Sequence, residues 1–422
     1  MIQEKKQRIS RVRQALEFLQ AGKIIMVRDD EDRENEGDFI CAIEHGSPEN
    51  VNFMAVHGRG LLCAAITRET ASRLDLHPME MYQAGGGQLG DAQGTAFTIS
   101  VDATRGITTG ISAEDRAETL KILHNPLSVP GDLRRPGHMF PLIAKDGGIL
   151  VRRGHTEAAV DLTRLAGLQP GGLICEIMNP DGTMARGPEL ESLSEKWNMP
   201  LISLEDLLTY REAMGDVAIH GGPESRLPTD AGGFTIQVFK TDDPGCPEII
   251  ALSNKDGGGR PVVRLHSECL TGDSFGSQRC DCGNQLEAAK NLVQQNGGVI
   301  LYLRQEGRGI GIFEKIRAYA LQDGGLDTVD ANLALGHGVD TRNFAGAVAV
   351  LRYLGFRDFD LLTNNPHKIA ALSLGELFSV QPRNLELPVH PESRRYIETK
   401  IARMGHAISL KGVKNERIYE YY

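Results

Sequence analysis

Short apolar runs alternate with amphipathic stretches twice along this chain, and a Gly/Pro-rich segment at 221–233 separates the two series. This alternation constrains the fold most, because strand-period and helix-period segments in succession bury their apolar faces together in a sheet covered by helices. In the first series, Val12, Ala15, Leu16 and Leu19 recur at helical spacing, with Ser10 as the expected N-cap and Gly22 as the stop. Ile24 to Val27 reads as a buried strand, Gly148 to Val151 as another, Glu157 to Leu168 as a helix capped by Thr156, and Leu173 to Met178 as a strand. Helix-like Leu204 to Met214 leads into the connector. In the second series, Pro261 to His266, Val299 to Leu303 and Asp360 to Thr363 read as strands, and Gln285 to Asn296 and Phe344 to Leu354 as helices. The expected class is α/β (α+β), with two α/β domains at 1–206 and 207–422, each a mixed sheet flanked by helices, joined by the Gly/Pro-rich connector. Each half is a comfortable size for one hydrophobic core.

Composition removes several function classes. Lys plus Arg number 46 and Asp plus Glu 56, a net charge of −10, which argues against a general nucleic-acid or anionic-membrane binder. Seven cysteines in 422 residues, an odd and sparse set, do not read as a secreted disulfide framework. The first ten residues are charged and no apolar run is long enough to span a bilayer, so neither a secretory signal nor a membrane helix is expected, and the expected compartment is the cytoplasm.

The chemistry-bearing residues differ between the halves. In the second, Cys269, Cys280 and Cys282 lie close in sequence, and three soft thiolates suit zinc. Three readings stay open at this point: a catalytic zinc with one position left for water, a structural zinc closed by a distant ligand such as His266, or buried structural cysteines. Charged and polar residues crowd the ends of the presumed strands, where open α/β sheets bind ligands: Glu306 and Arg308, Asp340 and Arg342, Thr363 and Lys368. No P-loop motif is present.

The segments RLHSECLTGDSFGSQRCDCGNQLEAA, LRQEGRGIGIFEKIRAYALQDGGLDTVDAN, GHGVDTR and LLTNNPHK resemble GTP cyclohydrolase II, over most of residues 228–410. That family opens the guanine imidazole ring by hydrolysis and releases formate and pyrophosphate. The resemblance implies that Cys269, Cys280 and Cys282 hold Zn²⁺ and that Arg264, Leu265, His266, Ser267, Glu268, Gln285, Glu306, Gly307, Arg308, Thr328, Thr363 and Lys368 contact GTP. It also implies Asp340 as proton acceptor, Arg342 as nucleophile at the α-phosphorus and Tyr319 as an aid to ring opening. Asn343-Phe344 and the stretch from Pro382 to Leu385 depart from the family pattern without touching an implied ligand.

In the first half the run from Asp29 to Asp38 packs carboxylates around Arg33 on a Gly-ended loop, a donor set suited to Mg²⁺ or Mn²⁺ if it is not simply solvated surface. His138 and His155 each lie next to a glycine, and Cys41, Cys63 and Cys175 lack metal-site spacing. The segments VRDDEDRENEGDFI, NFMAVHGRGLLC, FTISVDA, TTGISAEDRA, RPGHMFPL, RRGHTEAAVDL and CEIMNPDGTMAR resemble 3,4-dihydroxy-2-butanone-4-phosphate synthase, over roughly residues 8–200. That family converts ribulose 5-phosphate to a four-carbon ketone phosphate and formate. The resemblance implies Glu34 and His155 as Mg²⁺ or Mn²⁺ ligands, Arg33, Glu34, Asp38, Arg152, Thr156 and Glu176 as substrate contacts, His138 and Glu176 as proton-transfer residues, and Thr109 and Cys63 as pocket lining.

Both resemblances together imply a bifunctional enzyme of riboflavin biosynthesis acting on two small molecules, ribulose 5-phosphate and GTP, without nucleic-acid or membrane partners, as a homodimer or higher homo-oligomer. The alternative is a nucleotide- or sugar-phosphate-sensing protein with an inactive site. Its signature would be loss of a zinc cysteine, of Asp340 or Arg342, or of Glu34 or His155, and all of these are present.

Overall fold

The computed structural model describes residues 2–30, 33–79, 94–243, 245–338, 340, 342–385, 387 and 390–404. Glu31 and Asp32 of the acidic run therefore lie outside the described residues, as does the chain beyond 404. The chain divides into two compact units, Met1–Tyr210 and Arg211–Tyr422.

Unit 1 is built on a mixed seven-stranded sheet. Its strands are β1 (Ile25–Arg28), β2 (Gly37–Ala42), β3 (Cys63–Ile66), β4 (Val101–Ala103), β5 (Leu133–Ile143), β6 (Gly171–Glu176) and β7 (Leu201–Ser203), in the order β4-β5-β3-β6-β2-β1-β7. The β1/β7 and β3/β5 pairs are parallel and the others antiparallel. Side chains alternate across a strand, so the continuous apolar runs feed two cores. Met26, Phe39, Cys41, Ala64, Ile66 and Leu173 face one, with Val51 and Met54 of helix Pro48–Gly58 and Leu120 of helix Ala113–His124. Ile25, Val27, Ile40, Ala65 and Ile174 face the other, with Val12, Ala15, Leu16 and Leu19 of helix Ile2–Gln20 and Leu162 of helix His155–Leu165. The helical spacing of those four residues is thus a buried stripe, but Ser10 lies inside the helix, which starts eight residues earlier than its expected cap.

Two other sequence expectations fail for local reasons. Gly148–Leu150 is a 3-10 turn, not a strand: Gly147 and Gly148 both have positive φ, at 89° and 64°. A Cβ on Gly148 would sit 2.2 Å from the Asp161 carboxylate, which accepts the Ile149 N–H at 2.9 Å, so this backbone is tied to the helix beside it. That helix begins at His155 with Gly154 as N-cap, so Thr156 is a buried first-turn residue and not the cap.

Unit 2 carries a mixed eight-stranded sheet of β8 (Ile219–Gly221), β9 (Ser225–Thr229), β10 (Gly232–Thr241), β11 (Glu248–Asn254), β12 (Val262–Ser267), β13 (Gly298–Leu303), β14 (Asp358–Leu362) and β15 (Ser379–Arg383). The order is β15-β14-β12-β13-β11-β10-β8, with β9 also on β10. The 221–233 stretch is therefore not a free connector, since it supplies β9 and the ends of β8 and β10. Its Pro228 sits in β9 among exposed and half-exposed neighbours, a place where a missing N–H is tolerated. Phe239, Ile249, Val263, Leu265, Leu301 and Phe359 face one core with helix Ala345–Tyr353, while Phe234, Val262 and Ile300 meet Ala289 and Val293 of helix Cys282–Asn296 on the other. The parallel trio β13, β12 and β14 ends at Leu303, Ser267 and Leu362, so the segments leaving all three strands emerge at one edge.

Two candidate active sites

The edge of unit 2 gathers the second motif set. Cys269 follows β12, and Cys280 and Cys282 precede and begin the helix Cys282–Asn296. Their three sulfur atoms lie within 4.8 Å of one another, with Cys269 and Cys280 in contact at 3.6 Å. Hydrogen bonds from Cys280 and Cys282, together with the nearby Lys315 ammonium, hold Cys269 far below the usual thiol range. Cys280 is pushed up to about 11 by its hydrogen bond to Cys269, and Cys282 is pushed up by its bonds to both. One buried and two half-buried soft ligands around one point fit zinc, and no fourth His, Cys, Asp or Glu joins the cluster among the described residues. His266 is engaged elsewhere: its Nε2 lies 3.1 Å from Asp273, which also accepts the Tyr302 hydroxyl at 3.0 Å and the Cys269 N–H at 2.9 Å. Burial holds the His266 imidazole below its usual range, against the pull of Asp273.

A two-lobed cleft surrounds the thiols. Glu268, Cys269, Cys280, Glu306, Gly307, Tyr319 and Thr328 line one lobe. Arg264, His266, Gln285, Thr363 and Lys368 line the other, and Ser267, Cys282, Arg308, Arg342 and Tyr396 line both. Leu265 turns its side chain into the core and offers only its carbonyl, which accepts from the buried Lys368 ammonium at 2.6 Å. Burial, with Arg264 and Arg342 nearby, holds Lys368 well below the usual lysine range. Arg264 donates to the Leu362 carbonyl at 2.9 Å and to Gln285, which in turn donates to Asp281 at 2.6 Å.

Asp340 and Arg342 form a two-pronged ion pair at 2.8 and 2.6 Å, and Arg342 also donates to the Ser267 hydroxyl at 3.2 Å. Burial favours the neutral carboxyl of Asp340, but the guanidinium outweighs it and holds Asp340 below the usual range. The fork therefore arrives pre-aimed into the cleft. Sequence reasoning missed Lys315, which reaches Glu306 at 2.7 Å, Thr271 at 3.1 Å and Cys269 at 3.2 Å. It lies four residues before Tyr319, one helical turn away on helix Gly311–Asp323, and that spacing was the available signal.

In unit 1, β2 and β6 pair Asp38 with Glu176 at the strand ends. Asp38 is fully buried, and burial, then Glu176, Glu34, Glu36 and Asp29, push its carboxyl well up. Burial and the same carboxylate neighbourhood also raise Glu36. Arg33 bridges Asp29 and Glu34, each at 2.8 Å, so these three residues form an organised cluster and not freely solvated charge. Burial, against the pull of Asp29, pushes His155 down to about 4, leaving a neutral imidazole. Its Nδ1 lies 3.4 Å from Asp38, yet neither His155 Nε2 nor Asp38 Oδ1 has a hydrogen-bond partner among the described residues. Two orphaned buried acceptors beside several carboxylates fit a hard divalent cation.

Arg152 is drawn to Glu157 and donates to Thr95 at 2.8 Å. The Glu176 carboxylate accepts the Leu61 N–H at 2.8 Å. Burial, then Glu176 and Asp38, raise the Cys63 thiol well above its range, so this cysteine is a packed neutral group. His138 stands on β5, two residues before Phe140, which pairs with Cys63. Its Nδ1 meets Asp102 at 2.9 Å, and Asp102 also accepts the His138 N–H at 2.8 Å and the Arg134 guanidinium at 3.2 Å. The Thr109 carbonyl accepts from that same Arg134 at 3.2 Å. Asp102 was missed in sequence because it lies in an ordinary-looking strand segment, β4, whose pairing with β5 the sequence does not reveal.

Gly110 makes this pair possible. Its φ is +104°, and a Cβ there would lie 2.3 Å from Asp102 Oδ2 and 2.6 Å from His138 Nδ1. Gly110→Ala is expected to displace the imidazole and cut the activity of unit 1 by roughly 100-fold, as misplacement of about 1 Å does, and to lower the melting temperature through backbone strain at this positive φ, with the chemistry of unit 2 little changed. Parallel assays of both activities check this.

Comparison with known proteins gives each half of the chain a family. The 3,4-dihydroxy-2-butanone 4-phosphate synthase family matches residues 13–210 and the GTP cyclohydrolase II family residues 221–381. Riboflavin biosynthesis protein RibBA of Bacillus mycoides (strain KBAB4) is 49% identical over 403 residues, covering 95% of this chain and 99% of its own. The RibBA protein of Bacillus subtilis (strain 168) is 48% identical over 401 residues, covering 94% and 98%. The crystal structure of RibBX from A. baumannii, a two-domain 3,4-dihydroxy-2-butanone 4-phosphate synthase, is similar with a TM-score of 0.58 at 30% identity, covering 89% of this chain and 99% of that one. With both family matches in order and near-half identity over full-length relatives, this chain belongs to the bifunctional riboflavin biosynthesis proteins, which join 3,4-dihydroxy-2-butanone 4-phosphate synthase to GTP cyclohydrolase II.

Proposed function

We propose that unit 1 converts ribulose 5-phosphate to 3,4-dihydroxy-2-butanone 4-phosphate and formate, and that unit 2 hydrolyses GTP to the diaminopyrimidinone ribosyl phosphate, formate and pyrophosphate. The observation that carries the second assignment is the shape of the cleft: three thiols in one lobe and Arg264, Arg342 and Lys368 in the next, meeting at Ser267, Cys282, Arg308 and Arg342. A ligand spanning both lobes places a base beside the thiols and a triphosphate among cations, without any P-loop.

Cys269, Cys280 and Cys282 would hold Zn²⁺. When bound there, zinc lowers the pKa of a water and supplies hydroxide near neutral pH for attack on the ring carbon. Glu306, held by Lys315 and by the Leu270 N–H at 2.6 Å, is fixed at the lip of the thiol lobe, where a carboxylate suits the guanine N–H edge. Tyr319, 3.3 Å from the Thr271 hydroxyl, faces the same lobe and can pass a proton during ring opening. Arg342 meets the α-phosphorus, and Asp340 both orients it and takes its proton if it attacks. In the free site both members of this pair are held charged, so that transfer is confined to the substrate complex.

In unit 1, Glu34 and His155 would hold Mg²⁺ or Mn²⁺, which when bound stabilises negative charge developing on adjacent sugar oxygens. His138, steadied by Asp102, and Glu176 move the protons that enolisation requires. Arg33 and Asp38 flank the sugar, and Arg152 with Thr156 at the start of helix His155–Leu165 receives the phosphate.

The test is to incubate the full chain with each substrate separately and identify products by mass spectrometry. Formate with the four-carbon ketone phosphate from one, and formate with pyrophosphate from the other, is the expected result. A chain that binds both substrates and turns over neither would instead be a sensor. The metals should also behave differently. After dialysis against metal-free buffer about one zinc per chain should remain, while ribulose 5-phosphate conversion should be lost and return with added Mg²⁺. Active, freshly purified protein without zinc would overturn the cysteine assignment.

A further inference from the structure

Resting on the reading of unit 2 as a GTP cyclohydrolase, we propose that the C-terminal helix Arg394–Met404 is part of the GTP site, with Tyr396 against the ribose and Lys400 on the triphosphate. This helix lies beyond residue 381, where the family match ends, and none of its residues was singled out in sequence.

Four observations carry the assignment. Tyr396 lines both lobes of the cleft, at the waist where a nucleotide's sugar must sit if its base is at the thiols and its phosphates are among the cations. Lys400 lines the cationic lobe, and its buried ammonium bonds Asp281 at 3.1 Å, between the two cysteines Cys280 and Cys282. The same Asp281 accepts from Gln285, which accepts from Arg264, so Lys400 joins the network that aims Arg264 into the lobe. An ammonium has three donors, and one spent on Asp281 leaves others for phosphate oxygens. The helix is also pinned at its far end, where Arg403 bonds Asp327 at 2.5 Å and Asp330 at 2.8 Å, beside the pocket residue Thr328. Tyr396 lies face-on to two cations, Lys400 at 4.3 Å and Arg308 at 5.9 Å. It therefore spaces like charges that a triphosphate would then neutralise.

The experiment uses the full chain. Lys400→Met should raise KM for GTP at least about tenfold, the worth of one charge-assisted hydrogen bond, with kcat changed less than KM and zinc still bound. Tyr396→Ala should raise KM in the same direction, and Lys400→Arg should recover part of the loss. Because Lys400→Met leaves Asp281 without its cation, a second measurement needs no variant: amide exchange in residues 394–404 of the wild-type protein. A GTP analogue with a methylene bridge between the α- and β-phosphorus should slow that exchange. Folded, zinc-loaded variants with wild-type KM, or exchange in 394–404 indifferent to the analogue, would overturn the proposal while leaving GTP hydrolysis intact. Absence of GTP turnover in the wild-type chain would instead remove the underlying reading.

Discussion

Replacing Arg342 with alanine is expected to suppress pyrophosphate release from GTP by roughly 100-fold to 1,000-fold or more, with zinc content unchanged. Arg342 is half-buried, it is the one side chain that both pairs with Asp340 and reaches Ser267 among the described residues, and it lines both lobes of the cleft. None of its hydrogen bonds among the described residues goes to a cysteine, so the metal should stay. Removing it alone strands the half-buried Asp340 carboxylate without its counter-ion, which destabilises the fold as well as the site. The double variant Asp340→Asn with Arg342→Met therefore serves as the control for folding, and it should be equally inactive. Arg342→Lys should rescue incompletely, because an ammonium cannot fill both prongs toward Asp340 and still reach Ser267. Retained activity in folded Arg342→Ala protein would remove this residue from the mechanism.

His155→Ala is the matching expectation for unit 1. The imidazole is buried and neutral, and its Nε2 has no hydrogen-bond partner among the described residues, so its loss removes the proposed ligand atom along with the ring's bond to the Val27 backbone. Conversion of ribulose 5-phosphate should fall by at least about 100-fold, the upper range for disturbing even an outer-shell partner of a metal. Excess Mg²⁺ should restore little. GTP turnover should stay within about twofold, as expected for sites without shared partners. Stopped-point assays with each substrate, on protein checked by circular dichroism, measure both.

The parts of this fold legible in sequence were those with a dense local signal. Val12, Ala15, Leu16 and Leu19 announced a buried helical stripe, and Leu204 to Met214 matched its helix to the residue. The failures arose where pairing or tertiary contact outvoted local cues. Glycines and prolines at 221–233 suggest a connector, yet β9 and β10 form there because each pairs along the sheet. Gly148 to Val151 looks apolar and extended, but positive φ at two glycines and a tie to Asp161 make it a turn. The sites divide in the same way. The cysteine triad and the Asp340–Arg342 pair are close in sequence and could be read directly. Asp102 beside His138, separated by 36 positions, and Lys400 on Asp281, separated by 119, depend on strand pairing and helix docking that no local pattern encodes.

The central claim is that two complete catalysts share one chain and do not depend on each other. The most direct measurement is the cross-assay of His155→Ala and Cys282→Ser, each given both substrates, with thermal unfolding to confirm that zinc loss has not unfolded the protein. The account predicts that His155→Ala loses only the ketone-phosphate product and Cys282→Ser only the products of GTP. A folded His155→Ala protein that also loses most GTP turnover, or a folded Cys282→Ser protein that no longer makes the ketone phosphate, would contradict it.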